Sequence, residues 1–296
     1  MAADSLGVME DTRVEVNRIS LHMVAAGPAD GPAVILLHGF PEFWYGWRRQ
    51  IGPLAAAGFR VLAPDQRGYN LSDKPEGVGA YGLDTLAADV ISLADTIGRE
   101  KVSLVGHDWG GIVAWWTALR HPERIDRLAI LNAPHPAVMR PYARRHPTQV
   151  LRSWYVLFFQ LPWLPEAMMR ARDLTILQEV TVRSGRPGIF GEEDLQRYRE
   201  AWSRPGALTA MVNWYRALRQ PRKAPAGARI SLPVLLIWGM RDAFLEPGLA
   251  EASLALCDDG RIVRFETASH WVQHEEAEAV NAALIEFLRR GDDADS

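Results

Sequence analysis

The chain has only one cysteine, Cys257, so an intramolecular disulfide is excluded. No apolar stretch approaches the roughly 18–20 uninterrupted residues that a membrane-spanning helix needs. The first twelve residues carry acids and lack the apolar centre of a secretory signal, so no signal peptide is expected. The single cysteine and the missing signal favour the cytoplasm. There is no excess of positive charge either: 33 Lys and Arg against 36 Asp and Glu leave a net −3. That balance argues against a nucleic-acid or anionic-membrane surface, both of which call for clustered cations. Internal repeats and low-complexity segments are absent. No Cys/His cluster suggests a metal site, and no cofactor is expected.

The 296 residues, 48% of them apolar, suffice to bury a full core, as one large α/β domain or two small ones. Tryptophan is abundant, at eleven residues, several in the middle third. The excess reads either as core filling or as an aromatic-walled pocket.

Residues 13–26 alternate apolar and polar side chains around Asn17-Arg18, which predicts an opening hairpin. Short apolar runs at 33–38, 60–64 and 102–106 predict buried strands, with a helical pattern at 83–97 between them. Further buried strands are expected at 128–131, 234–238 and 262–265. Strands alternating with helices predict an α/β fold with a mostly parallel, doubly wound sheet. Between 136 and 227 the strand rhythm stops, and Arg, Trp, Leu and Met recur at helical spacing. This stretch reads as a helical insertion, a cap on a core formed by 1–135 and 228–296. Residues 220–229, rich in proline and basic side chains, read as the return linker, and the tail after 290 as a frayed acidic end.

One turn narrows the chemistry. Gly106-His107-Asp108-Trp109-Gly110 stands between the 102–106 run and a helical pattern opening with Gly111-Ile112-Val113. A Gly-x-nucleophile-x-Gly turn between strand and helix requires small residues on both sides and projects the central side chain at the substrate. Serine there would attack a carbonyl. An aspartate suits displacement at saturated carbon, giving an enzyme ester that water must cleave. Asp108 could also cap the following helix, a role compatible with the first because the helix N-terminus favours an ionised carboxylate.

His38-Gly39-Phe40-Pro41, Asp65-Gln66-Arg67-Gly68-Tyr69, Gly106-His107-Asp108-Trp109-Gly110-Gly111, Asn213-Trp214-Tyr215-Arg216 and His270-Trp271 occur in this order over nearly the whole chain. Together they resemble the epoxide hydrolase branch of the α/β-hydrolase fold. The resemblance implies Asp108 as nucleophile, His270 as the base that activates water, and Asp242 as the acid orienting His270. His274 and Glu246 are the local rivals for the last two roles. Asn132, after an earlier strand where some relatives carry the acid, cannot supply a charge. The resemblance further implies backbone N–H groups of Phe40 and Trp109 as an oxyanion hole. It also implies Tyr155 and Tyr215 as proton donors to the epoxide oxygen, since a phenol with a pKa of about 10 stays protonated at neutral pH. Tyr142 and Tyr198 lack such motif support. The Asp65-Gln66-Arg67 segment reads as an Arg–Asp network bracing the loops beneath the site. Trp154, Phe158 and Trp214, with Phe159 and Trp163, imply a pocket for an apolar epoxide, with water as second substrate. A monomer or a homodimer is expected, the Trp-rich insert offering a dimer contact.

Two other readings are open. A dehalogenase would use the same aspartate against a halide leaving group, and Trp109 suits either case. Haloalkane dehalogenases resemble one another in an asparagine where this chain has Phe40. Fluoroacetate enzymes want arginines where Trp109 and Ile112 stand. A non-catalytic ligand-binding member of the fold would be expected to have lost part of the machinery, yet Asp108, Asp242, His270, Tyr155 and Tyr215 are all present.

Overall fold

The structure, a computed structural model, describes residues 9–220 and 228–289. The opening hairpin forms where the sequence alternates: β1 (Glu10–Val16) pairs antiparallel with β2 (Ile19–Ala26), from Val16 opposite Ile19 to Glu10 opposite Ala25. Asn17 and Arg18 both take positive φ, 43° and 67°. Two such residues in a row give the turn whose twist matches the flanking strands. The Asn17 side chain is tied down by a hydrogen bond to Asp89, at 2.8 Å.

The apolar runs become β3 (Ala33–Leu37), β4 (Arg60–Pro64), β5 (Val102–His107), β6 (Ile125–Leu131), β7 (Ile230–Gly239) and β8 (Cys257–Phe265). The sheet order is β1-β2-β4-β3-β5-β6-β7-β8, with β3 to β8 parallel and β2 antiparallel to both its neighbours, β1 and β4. Successive side chains point to opposite faces, as the pleat requires. Ile35, Leu104, Ile130 and Leu236 face α2 (Leu83–Thr96) and α3 (Trp109–Arg120), after α1 (Ile51–Ala56) in the chain. Val34, Leu36, Val105, Leu131 and Ile237 face α1 and the C-terminal helix on the other side. Both faces are thus covered, which explains runs that are apolar throughout. Leu36 is fully buried, and truncating it to alanine would cost about 2–5 kcal/mol.

Among the described residues seven α-helices lie between β6 and β7: α4 (Met139–Arg145), α5 (Pro147–Arg152), α6 (Trp154–Phe158), α7 (Leu164–Arg170), α8 (Thr175–Arg183), α9 (Glu192–Ser203) and α10 (Ala207–Arg216). Buried hydrogen bonds tie α9 and α10 to the core: Trp202 indole to the Pro41 carbonyl, 2.6 Å, and Trp214 indole to the Arg67 carbonyl, 3.1 Å. The expected return linker lies mostly outside the described residues, as do the acidic tail and the first eight positions. After β7 come α11 (Gly248–Leu254), α12 (Val272–Glu275) and α13 (Ala277–Arg289). Among the described residues no helix is long and apolar enough to cross a membrane.

Three strands begin ahead of their expected starts, β7 at Ile230 rather than 234. β8 begins at Cys257 rather than 262, through Asp258-Asp259-Gly260-Arg261. It is the sheet edge, open to solvent along one side, so its pairing with β7 needs no apolar run. β6 begins at Ile125, ahead of the exposed Asp126, although it is paired on both sides.

Candidate active site

β5 ends at His107 and α3 begins at Trp109, leaving Asp108 alone in the bend with φ 48° and ψ −120°. A non-glycine residue held there stores about 1–3 kcal/mol of strain. The turn is possible only because the residues two positions to either side of Asp108 lack side chains. A Cβ on Gly110 would lie 2.0 Å from the Leu37 carbonyl oxygen, and one on Gly106 would lie 2.5 Å from that of Gly110. The Asp108 side chain makes no capping bond to α3. Its Oδ1 accepts the Phe40 N–H at 2.8 Å, and its Oδ2 lies 3.6 Å from His270 Nε2. The Trp109 N–H, the second donor expected from the sequence, makes no hydrogen bond to this carboxylate.

His270 follows β8 and is almost fully buried; its Nδ1 meets Asp242 Oδ2 at 2.7 Å. Asp242 sits in the loop after β7 and is fixed by three further donors. The N–H groups of Phe244 and Leu245 reach its Oδ1 at 2.7 and 3.0 Å, and the Asn132 amide reaches its Oδ2 at 2.7 Å. Burial alone would raise the Asp242 pKa, but His270 and these donors outweigh it and lower the value. For His270, burial opposes protonation, yet the Asp242 carboxylate, helped by Asp108, lifts the pKa to about 9. Both local rivals are engaged elsewhere. Glu246 accepts the Tyr142 hydroxyl at 3.1 Å, and His274 is engaged by Glu42 at 2.8 Å.

The insert closes over this carboxylate–imidazole pair. Tyr155 on α6 and Tyr215 on α10 stand edge to face, ring centroids 5.9 Å apart. Together with Asp108 they line two chambers, one of about 720 Å³ and one of about 360 Å³. Burial, reinforced by the negative Asp108 and Asp242, pushes the Tyr155 pKa far above the usual phenol range. Burial, then Tyr155 and Asp108, does the same for Tyr215. Trp154, Phe158 and Phe159 line the smaller chamber with Met169, Leu177 and Phe244. The larger one runs past Ile112, Ala133, Met139, Val156 and Leu245. The arrangement sets a carboxylate, an imidazole with its own carboxylate, and two non-ionised phenols around one apolar space.

The family described as alpha/beta hydrolase fold matches residues 32–277. Epoxide hydrolase 4 of Homo sapiens is 39% identical over 96% of this chain and 80% of its own length. The crystal structure of epoxide hydrolase A from Mycobacterium thermoresistibile is 33% identical with a TM-score of 0.86, covering 95% of this chain and 98% of that one. The chain is an enzyme of the epoxide hydrolase family. Another similar protein is the AB hydrolase superfamily protein YfhM of Bacillus subtilis (strain 168), 50% identical over 93% of this chain and 96% of that protein.

For this epoxide hydrolase family member the structure corrects two pocket residues and adds two side chains. Trp214, expected in the pocket, is 1% exposed and lines neither chamber. On α10 it is one residue, about 100° of turn, from Tyr215, so the two cannot face the same space. Trp214 instead packs edge-on against Tyr69 and Trp109. Trp163, named with the same aromatics, is 72% exposed and also lies outside both chambers. Arg67 does brace the loops, but its partner is Asp89 on α2, at 2.6 and 2.7 Å. Asp65 instead holds His22, Asn70 and the Trp44 N–H.

Asn132, set aside for want of charge, serves as a donor to Asp242. Its backbone takes positive φ, and its amide also bridges both backbone groups of Gly239. Glu42, just past the Phe40 loop, is buried beneath His270. It accepts Tyr198 at 2.6 Å, His274 at 2.8 Å and Gln273 at 3.1 Å. His107 lies 3.5 Å from Glu42 and reaches the His270 carbonyl at 2.9 Å. A buried acid in a loop was the available sequence signal, but its partners come from distant segments.

Proposed function

We propose that the enzyme hydrolyses an apolar epoxide to a vicinal diol through an alkyl ester on Asp108. The observation that carries the reading is the convergence of Asp108, the His270–Asp242 pair and two protonated phenols on one apolar space. Asp108 Oδ2 attacks a ring carbon while Oδ1 stays on the Phe40 N–H. The departing oxygen takes a proton from Tyr155 or Tyr215, phenols that burial keeps from ionising on their own. The imidazolium of His270 returns that proton to the phenolate.

Ester formation also removes the Asp108 charge, one of the causes that raised the His270 pKa. The imidazole therefore becomes easier to keep neutral just when a base is needed. It takes a proton from water, which attacks the ester carbonyl, and the Phe40 N–H receives the developing oxyanion. The Trp109 N–H, at the start of α3, is the second donor in this reading. The imidazolium then protonates the departing alcohol and recovers a proton from the newly formed Asp108 acid. Asp242 holds the tautomer throughout.

In this scheme 1–135 and 228–296 form the hydrolase core and 136–227 a cap that supplies the proton donors and the chamber walls. Trp154 and Phe158 select apolar substituents on the smaller side. A reducing compartment such as the cytoplasm suits the unpaired Cys257. The test is diol formation from a panel of aryl and alkyl epoxides, with Asp108→Ala as the blank. Diol from the wild type alone supports the reading. Halide release from haloalkanes or haloacids without diol from any epoxide would replace it with a dehalogenase.

A further inference from the structure

Nine large hydrophobic side chains are exposed among the described residues, and eight of them lie between 150 and 180. Leu151, Leu157 and Trp163 are each 72% exposed, and Trp154 is 62% exposed. Exposed apolar residues normally scatter singly; a concentration of them on neighbouring elements marks a surface that meets something else. This one is continuous with the substrate space. Val150 and Leu157 reach the larger chamber, while Leu151, Trp154, Met168 and Val180 reach the smaller.

The charge around this face is not that of the whole chain. Residues 136–220 hold thirteen arginines, no lysine and seven carboxylates, although the protein as a whole is net negative. The three carboxylates between 136 and 183 are already engaged: Glu166 by Arg216, Asp173 by Arg199 and Glu179 by Arg183. Arg140, Arg144, Arg145, Arg170, Arg172 and Arg219 are exposed and have no carboxylate partner among the described residues. Arg140 and Arg219 sit on the wall of the larger chamber. A second copy docking through the same face would set these cations against one another, since a two-fold interface pairs a patch with itself. A surface of negative headgroups over hydrocarbon satisfies both halves: it takes the arginines, and it seats tryptophan at the headgroup level.

We propose that the α4–α8 face of the insert docks on an anionic lipid bilayer, with Trp154 and Trp163 seated at the headgroup level. Docking lays the chamber walls against the medium into which an apolar substrate partitions, so substrate enters the site without a passage through bulk water.

Sedimentation of the full-length protein with vesicles tests this, using phosphatidylcholine alone and phosphatidylcholine mixed with phosphatidylglycerol. The expected result is binding to the mixed vesicles, weakened by salt. It falls by about tenfold or more in Trp163→Glu and in the double variant Arg170→Glu/Arg172→Glu. These side chains are exposed and lie outside both chambers. Diol formation from a water-soluble epoxide and the melting temperature therefore stay at the wild-type values. No sedimentation with mixed vesicles at low salt would overturn the proposal, as would equal binding to neutral ones. A dimer in sedimentation equilibrium that Trp163→Glu dissolves would assign the face to a second copy instead.

Discussion

The sheet side and the insert side of the site hold their reactive groups in different ways. Asp108, Asp242 and His270 are charged or become charged, and the backbone fixes the two carboxylates. One accepts the Phe40 N–H and the other those of Phe244 and Leu245. Tyr155 and Tyr215 are neutral and are held by rings. Tyr155 packs against Tyr215, Phe244 and Phe159 with centroids 5.7–6.0 Å apart, and Tyr215 against Phe159 at 4.7 Å and Trp109 at 5.0 Å. A buried charge needs oriented dipoles, whereas a phenol meant to stay protonated needs only an apolar enclosure. The two sides should therefore respond differently to substitution.

The largest break in that comparison comes from the dipole-held side. Asp242→Asn keeps the shape but removes the charge that orients His270 and raises its pKa. Diol formation is expected to fall by about 10³–10⁴-fold, by analogy with other triads. Rapid-quench kinetics should show ester forming and persisting. A fall in alkylation rate as large as the fall in ester hydrolysis would contradict the assigned role.

On the ring-held side, Tyr155→Phe and Tyr215→Phe keep the packing and remove only the hydroxyl. Each should slow alkylation by roughly tenfold to a hundredfold. The double variant should approach the 10²–10⁴-fold contribution typical of general acid catalysis. In the proposed scheme both phenols serve one oxygen, so the two losses should not be additive. Thermal melts of the three variants should stay close to the wild type, in contrast with Asp242→Asn.

Stability against pH sharpens the contrast further. The His270 pKa is raised from 6.5 to about 9, so the stability contributed by its protonated form is complete below pH 6.5. It is lost as the pH rises through about 9. The unfolding free energy from denaturant titrations between pH 6 and 10 should fall for the wild type by an amount on the order of a few kcal/mol. The fall should be much smaller in Asp242→Asn. The smallest effect belongs to the chamber wall. Phe158→Ala should shift kcat/KM between bulky and small epoxides by about tenfold or less, leaving the chemistry intact.

The same division explains what could be read from the sequence. Asp108 was legible because its turn is local: strand, small residues and helix lie within a few positions. The hairpin was legible for the same reason, since Asn17 and Arg18 stand between two alternating runs. Asn132 was not, because its value lies in a hydrogen bond to a residue 110 positions away. Glu42 was hidden likewise, its partners lying 156 and more residues along the chain. Trp214 was misassigned because a motif names neighbours without saying which face of the helix each takes. The start of β8 was missed because an edge strand needs no apolar run. The cationic face of the insert vanished in a whole-chain average that the acidic remainder cancelled.

The central claim is that the oxygen Asp108 delivers to the diol is replaced from water. Turnover of an epoxide in water enriched in heavy oxygen, followed by digestion and mass spectrometry of the Asp108 peptide, tests it directly. The account predicts heavy oxygen accumulating in the Asp108 carboxylate over many turnovers, and diol carrying ordinary oxygen in a single one. Heavy oxygen entering the diol in the first turnover, with none in the peptide, would show water attacking the epoxide itself and contradict the ester.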